Sequence, residues 1–160
     1  MIVVADSSPL IVLVEIGHIG VLPALFGEII IPPTVAQELR GPRRTTTVLE
    51  YFAVHPPWLR ICPPAQLRPI EDLHAGEVEA LNLASELHAD LVLVDERKAY
   101  RAAVAMKLNA IGTVRVLERA ADAGLIELKD VFERLKRTDF WISHKLLDER
   151  LALFQRGRSP

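Results

Sequence analysis

Short runs of Val, Ile and Leu punctuate the chain at residues 2–5, 28–31, 59–62, 91–94 and 110–111, and between them apolar residues return at helical spacing. Runs low in charge and rich in β-branched residues suit strands buried on both faces of a parallel sheet. Their alternation with helical segments is the signature of βαβ units, so the pattern predicts an α/β fold. The run at 59–62 lies inside the Pro-rich stretch 56–69, which puts it at a sheet edge.

Cap and breaker residues set the expected helices. Ser8 reads as an N-cap with Pro9 at the first helical position, and that helix runs toward Gly17. A short helix follows over 21–26. Pro32-Pro33 stops the second strand, after which Thr34 and Gln37 have the spacing of a capping box and Glu38 falls in the first two turns. Gly41-Pro42 ends that helix, and a basic loop leads to another at 48–54. From Gly76 to Leu87, Ala80, Leu81, Ala84 and Leu87 form one apolar face, with Glu77 on the same face at the first turn. Further helices are expected at 96–108, at 114–123 with Thr113 as cap and Gly124 as stop, at 131–137 and at 143–154. The last six residues look frayed. No internal repeat is present.

With 160 residues, half of them hydrophobic and a quarter charged, the chain is expected to form one domain over 1–160. Roughly 70% of its unfolded surface would be buried in one core. The helices at about 130–154 would pack on that core or form an interface. A single cysteine, Cys62, excludes an internal disulfide. The N-terminus has no basic region and reaches Asp6 at once, and the apolar stretch 10–14 is far shorter than a membrane span. A cytoplasmic protein with no membrane partner is the expectation. A net charge of −2 gives no global attraction to nucleic acid, so any such attraction must be local.

Four acids stand at the ends of strand-like runs or in the helices beyond them: Asp6, Glu38, Glu77 and Asp95. This is where open α/β sheets gather reactive groups. Each also has an ordinary structural role open to it. Asp6 and Asp95 can cap helices, Glu38 can be a solvated helix residue, and Glu77 can complement a helix dipole. Together they are harder to explain that way, because two carboxylates about 5 Å apart repel by roughly 3 kcal/mol at an effective dielectric of 20. A hard divalent ion such as Mg²⁺ or Mn²⁺ would relieve that repulsion.

The stretch Val3-Val4-Ala5-Asp6-Ser7-Ser8-Pro9-Leu10 resembles the opening motif of PIN-domain nucleases. In order after it, Pro32-Pro33-Thr34-Val35-Ala36-Gln37-Glu38-Leu39, Gly76-Glu77-Val78-Glu79-Ala80-Leu81 and Leu93-Val94-Asp95-Glu96-Arg97 resemble the second, third and fourth motifs. Ile111-Gly112-Thr113-Val114 is similar to the family's late Gly-Thr turn. The resemblance covers about residues 1–115 well and is closest to the branch related to VapC toxins of toxin–antitoxin pairs. It implies a three-layer α/β/α sandwich around a mostly parallel sheet of four to five strands. It also implies a ribonuclease using one or two Mg²⁺ or Mn²⁺ ions, with Asp6, Glu38, Glu77 and Asp95 as metal and catalytic residues. The third motif usually carries aspartate, so the longer Glu77 is expected to act through water.

Around these acids, Ser7, Thr113 and Glu96 are supporting candidates, and Glu79, two residues from Glu77, is expected to be solvated. Arg40, Arg43 and Arg44, with Arg97 and Arg101 one turn apart after Asp95, are candidate RNA contacts. Trp58 and Trp141 are expected in a core or interface. Phe140, Trp141, Leu146, Leu147, Leu151 and Phe154 make the C-terminal region apolar enough to serve a homodimer or a small antitoxin protein. Two competing classes remain open. A phosphatase using Asp6 as nucleophile would resemble haloacid-dehalogenase-type enzymes, but Ser8 stands where their second aspartate belongs. The other class is a catalytically silent PIN-like binding module.

Overall fold

The computed structural model describes residues 1–157. Its elements run β1 (Val3–Ala5), α1 (Ser7–Glu15), α2 (Val21–Phe26), β2 (Ile29–Ile31), α3 (Pro33–Leu39), α4 (Thr46–Ala53) and β3 (Leu59–Ile61). They continue with α5 (Ala75–Glu86), β4 (Leu91–Leu93), α6 (Arg97–Ala105), β5 (Ala110–Ile111), α7 (Thr113–Asp122), α8 (Leu128–Lys136) and α9 (His144–Arg156). The five strands form one parallel sheet in the order β3-β2-β1-β4-β5, with β3 at an edge as its prolines require.

Alternation along each strand separates two buried layers. Val3, Ala5, Ile29, Ile31, Leu91, Leu93 and Ile111 face the larger core, together with residues of α1–α4 and α7–α9. Val4, Ile30, Val92, Val94 and Ala110 face the other way, onto Ala80, Leu81 and Ala84 of α5 and Ala99 and Ala103 of α6. With both faces covered, β1, β2, β4 and β5 need apolar side chains throughout, which accounts for their unbroken hydrophobic runs, whereas the edge strand β3 exposes Arg60 and Ile61. The result is a three-layer α/β/α sandwich.

Chain order fixes where a crevice opens. After β1 the chain adds β2 and β3 on one side, then crosses to lay β4 and β5 on the other. Helices therefore leave β1 and β4 on opposite sides of the sheet, and a cleft forms beyond the carboxyl ends of these neighbours. Two backbone bonds extend the ladder to this rim: Asp6 N–H donates to Leu93 O at 3.0 Å, and Val94 N–H to Ile111 O at 3.0 Å.

Four expected helix caps shift, and α4 and α8 begin earlier than expected, at Thr46 and Leu128. The N-cap of α1 is Asp6, so Ser7 and Ser8 are helical and Pro9 is the third helical residue. Pro32 caps α3 and the Thr34–Gln37 box does not form, because Thr34 N–H donates to Glu79 Oε2 at 2.9 Å. Glu96, not Asp95, caps α6 by accepting from Lys98 N–H at 2.7 Å. Gly112 is the N-cap of α7, leaving the Thr113 side chain free for another partner.

At the C-terminal end, Leu147 is fully buried and Phe140, Leu151 and Phe154 pack partly against the larger core. An ion pair reinforces this docking: Arg150 of α9 grips buried Glu118 of α7 through two bonds of 2.6 and 2.5 Å. Trp58 packs partly against the core, whereas Trp141 is 96% exposed and belongs to no core. Gln155 and Arg156 are helical rather than frayed, and 158–160 lie outside the described residues. Among the described residues no helix is long and apolar enough to cross a membrane.

Candidate active site

Four elements deliver the four acids to the crevice. Asp6 follows β1 directly, Asp95 follows the end of the β4 ladder, Glu38 lies in the last turn of α3, and Glu77 in the first turn of α5. Asp6 and Glu77 are buried, and Glu38 and Asp95 are half-buried. The helices α3 and α5 pack on each other, and the Glu79 bond to Thr34 ties the two together. Glu79 is thus a tertiary cap rather than the solvated residue its offset from Glu77 suggested.

Two glycines permit the close approach. A Cβ on Gly76 would strike the Glu38 carboxylate, and one on Gly112 would sit 2.9 Å from Asp95 Oδ1. Hydroxyls orient the acids. Ser7 Oγ donates to Glu38 Oε2 at 2.5 Å, Thr113 Oγ1 to Asp95 Oδ2 at 2.7 Å, and Ser8 Oγ to the same oxygen at 3.4 Å. Thr113 N–H completes the set with a 2.7 Å bond to Asp95 Oδ1. Gly76 and Gly112 escaped the sequence reading as site-builders, and Ser8, assigned there to capping, also reaches Asp95. The Gly-Glu and Gly-Thr pairs at two helix starts were the available signal, since small residues there let a neighbour come close.

The acids share one electrostatic environment. Burial lifts the Asp6 pKa from 3.8 to about 7, and the charges of Glu38, Glu77 and Asp95 push the same way against the Ser7 backbone N–H. Burial also raises Glu77, helped by Glu96 and Glu38 and opposed by His74. Asp95 is raised by burial too, although Thr113 and Ser8 favour its charged form. Glu96 is exposed and caps its own helix, so it acts here through its field on Glu77.

Among the described residues no three His, Cys, Asp or Glu side chains are grouped so that they could hold a metal ion in their present rotamers. Glu38 points to Ser7, and Asp95 to Thr113. The donor set itself suits a hard divalent cation: oxygen ligands only, mutually repelling, from four segments around one crevice. Bringing Glu38 and Asp95 onto an ion requires them to turn from those hydroxyls.

A family model described as a PIN domain matches residues 2–156. The chain belongs to the PIN-domain family. Neither the curated proteins nor the solved structures contain a match. Membership gives this PIN domain a nuclease-type fold.

The basic candidates part company. Arg40 Nε donates to the Phe52 carbonyl at 3.3 Å, joining α3 to α4. Arg44 is half-buried with its field on Glu15, whereas Arg43 is exposed. Arg97 and Arg101 project from α6, whose capping residue adjoins Asp95.

Proposed function

We propose that this PIN domain is a divalent-metal-dependent endoribonuclease of the branch related to VapC, acting as the toxin of a toxin–antitoxin pair. Its reading as one cytoplasmic domain over 1–160, working as a homodimer restrained by a small antitoxin protein, belongs to the same proposal. The observation that carries the enzymatic part is the convergence of four carboxylates from four elements on the β1/β4 crevice, where burial raises Asp6 to a pKa of about 7 and each of the other three acids adds to the rise.

Asp6 and Asp95 would hold Mg²⁺ or Mn²⁺ directly, with Glu38 as ligand or water-orienting base and Glu77 acting through water. A bound ion supplies Lewis acidity toward water and neutralises charge on the scissile phosphate. The chain's own residues do the positioning. Ser7 holds Glu38 and Thr113 holds Asp95 at the crevice until an ion competes with those hydroxyls for the carboxylate oxygens. Glu38 is half-buried and so within reach of water, and burial of Asp6 strengthens its attraction to a cation. Arg43, Arg97 and Arg101, all exposed, would contact RNA phosphates.

A second reading, a silent binding module, draws on the grip of Thr113 on both Asp95 oxygens. One experiment separates them. The purified chain, freed of any bound partner, is incubated with RNA in Mn²⁺ or in EDTA, beside Asp6→Asn. Cleavage that needs Mn²⁺ and falls at least ~100-fold in the variant is expected. Cleavage that survives Asp6→Asn with the same metal dependence sinks the assignment.

A further inference from the structure

Helix α6 carries an outer face on which the two arginines proposed above as phosphate contacts stand beside an exposed tyrosine. Ala99, Ala102, Ala103 and Met106 turn inward onto the sheet, so Arg97, Tyr100, Arg101 and Val104 share the opposite face at spacings of three and four. Tyr100 is 44% and Val104 54% exposed. Among the described residues the Tyr100 hydroxyl has no hydrogen bond, and the side chains of Arg97, Lys98 and Arg101 have no ion pair.

An exposed aromatic ring on the same helix face as two uncommitted guanidinium groups matches an unpaired nucleotide, which offers a flat base to stack and phosphates beside it. Duplex RNA offers the phosphates but keeps its bases inside. Tyr100 lies one helical turn beyond the Glu96 cap, and Glu96 reaches Glu77 electrostatically, so this face adjoins the carboxylate crevice. We infer that the Arg97–Tyr100–Arg101 face binds single-stranded RNA, with a base stacked on Tyr100 and phosphates held by the two arginines. The identity of the ligand rests on the ribonuclease reading. The stacking surface itself does not need catalysis.

The test uses a short unstructured RNA carrying 2-aminopurine, and the same RNA annealed to its complement, titrated with the full chain in EDTA so that cleavage plays no part. The wild type is expected to quench the fluorophore in the single strand and Tyr100→Phe to keep that quenching. Tyr100→Leu should lose it and bind roughly 5- to 150-fold more weakly, the effect of ~1–3 kcal/mol per stacked base. Binding to the duplex should not change. Removing the charges with Arg97→Gln and Arg101→Gln should lower the slope of log affinity against log salt by ~0.7 for each lost contact. This second measurement stands even if a Tyr100 variant fails its circular-dichroism folding control. Wild-type strength in Tyr100→Leu, an equal loss on duplex, no quenching by the wild type, or an unchanged salt slope overturns the inference. A separate Mn²⁺ cleavage assay keeps the two proposals apart: quenching without cleavage rejects the nuclease reading alone, and cleavage without quenching rejects the stacking site alone.

Discussion

Replacing Asp6 with asparagine removes a charge and keeps the shape, which isolates what the buried carboxylate does to the fold. Asp6 is 6% exposed, and its pKa rises from 3.8 to about 7 through burial first and neighbouring acids second. Below the lower value it is protonated in both folded and unfolded chains. Between the two, the unfolded chain ionises while the folded chain keeps its proton, so stability falls as pH rises and the full penalty stands above the folded value. At about 1.4 kcal/mol for each tenfold change in proton concentration, that penalty is roughly 4 kcal/mol. Against the ~5–15 kcal/mol that typically holds a domain together, this is a large fraction. Urea denaturation in EDTA from about pH 4 to about pH 8 measures it. Asp6→Asn should gain stability over the wild type steadily across that range, approaching ~4 kcal/mol at the upper end. Saturating Mn²⁺ near pH 8 should then restore ~3 kcal/mol to the wild type and much less to the variant. A stability difference that stays constant with pH would refute the electrostatic account of the crevice.

Gly76→Ala drives a methyl group into the Glu38 carboxylate, the far end of a flexible chain. Stability should therefore change by less than ~1 kcal/mol while RNA cleavage falls ~10- to 100-fold, because misplacement near 1 Å is enough for that loss; unaltered turnover would show that Glu38 has no part in the chemistry. Glu79→Ala removes the side chain that accepts from Thr34 N–H, and urea denaturation should report a loss of ~1 kcal/mol, largely restored in Glu79→Gln. Equal stability of Glu79→Ala and wild type would mean that water caps α3 as well.

Four of the strands could be read from the chain because each is a short apolar run with few stable places outside a doubly covered sheet, and β3, interrupted by Arg60, was legible from its place inside a Pro-rich stretch that suits a sheet edge. Helix starts were less accessible. Thr34 and Gln37 have capping-box spacing, yet the partner that satisfies Thr34 N–H comes from Glu79, 45 residues away. Thr113 has the chemistry of a cap, yet its hydroxyl goes to Asp95 across 18 residues. Local rules assign polar side chains to their nearest backbone groups, and in both cases a tertiary partner wins. Trp141 shows the same limit from the apolar side, since pattern alone left core and interface both open and the fold excludes the core by leaving the ring 96% exposed.

The order of residues by itself determined the parallel α/β arrangement and the identity of the four acids, because hydrophobic period and the ends of strands are local properties of the chain. Tertiary structure decided which of those acids share a field, which glycines let them approach, and which hydroxyls hold them. Those outcomes depend on the crossover between β1 and β4 and on distances between segments far apart in sequence. The burial that lifts Asp6 toward neutrality exists only once α3, α5 and the two strand ends have closed around it.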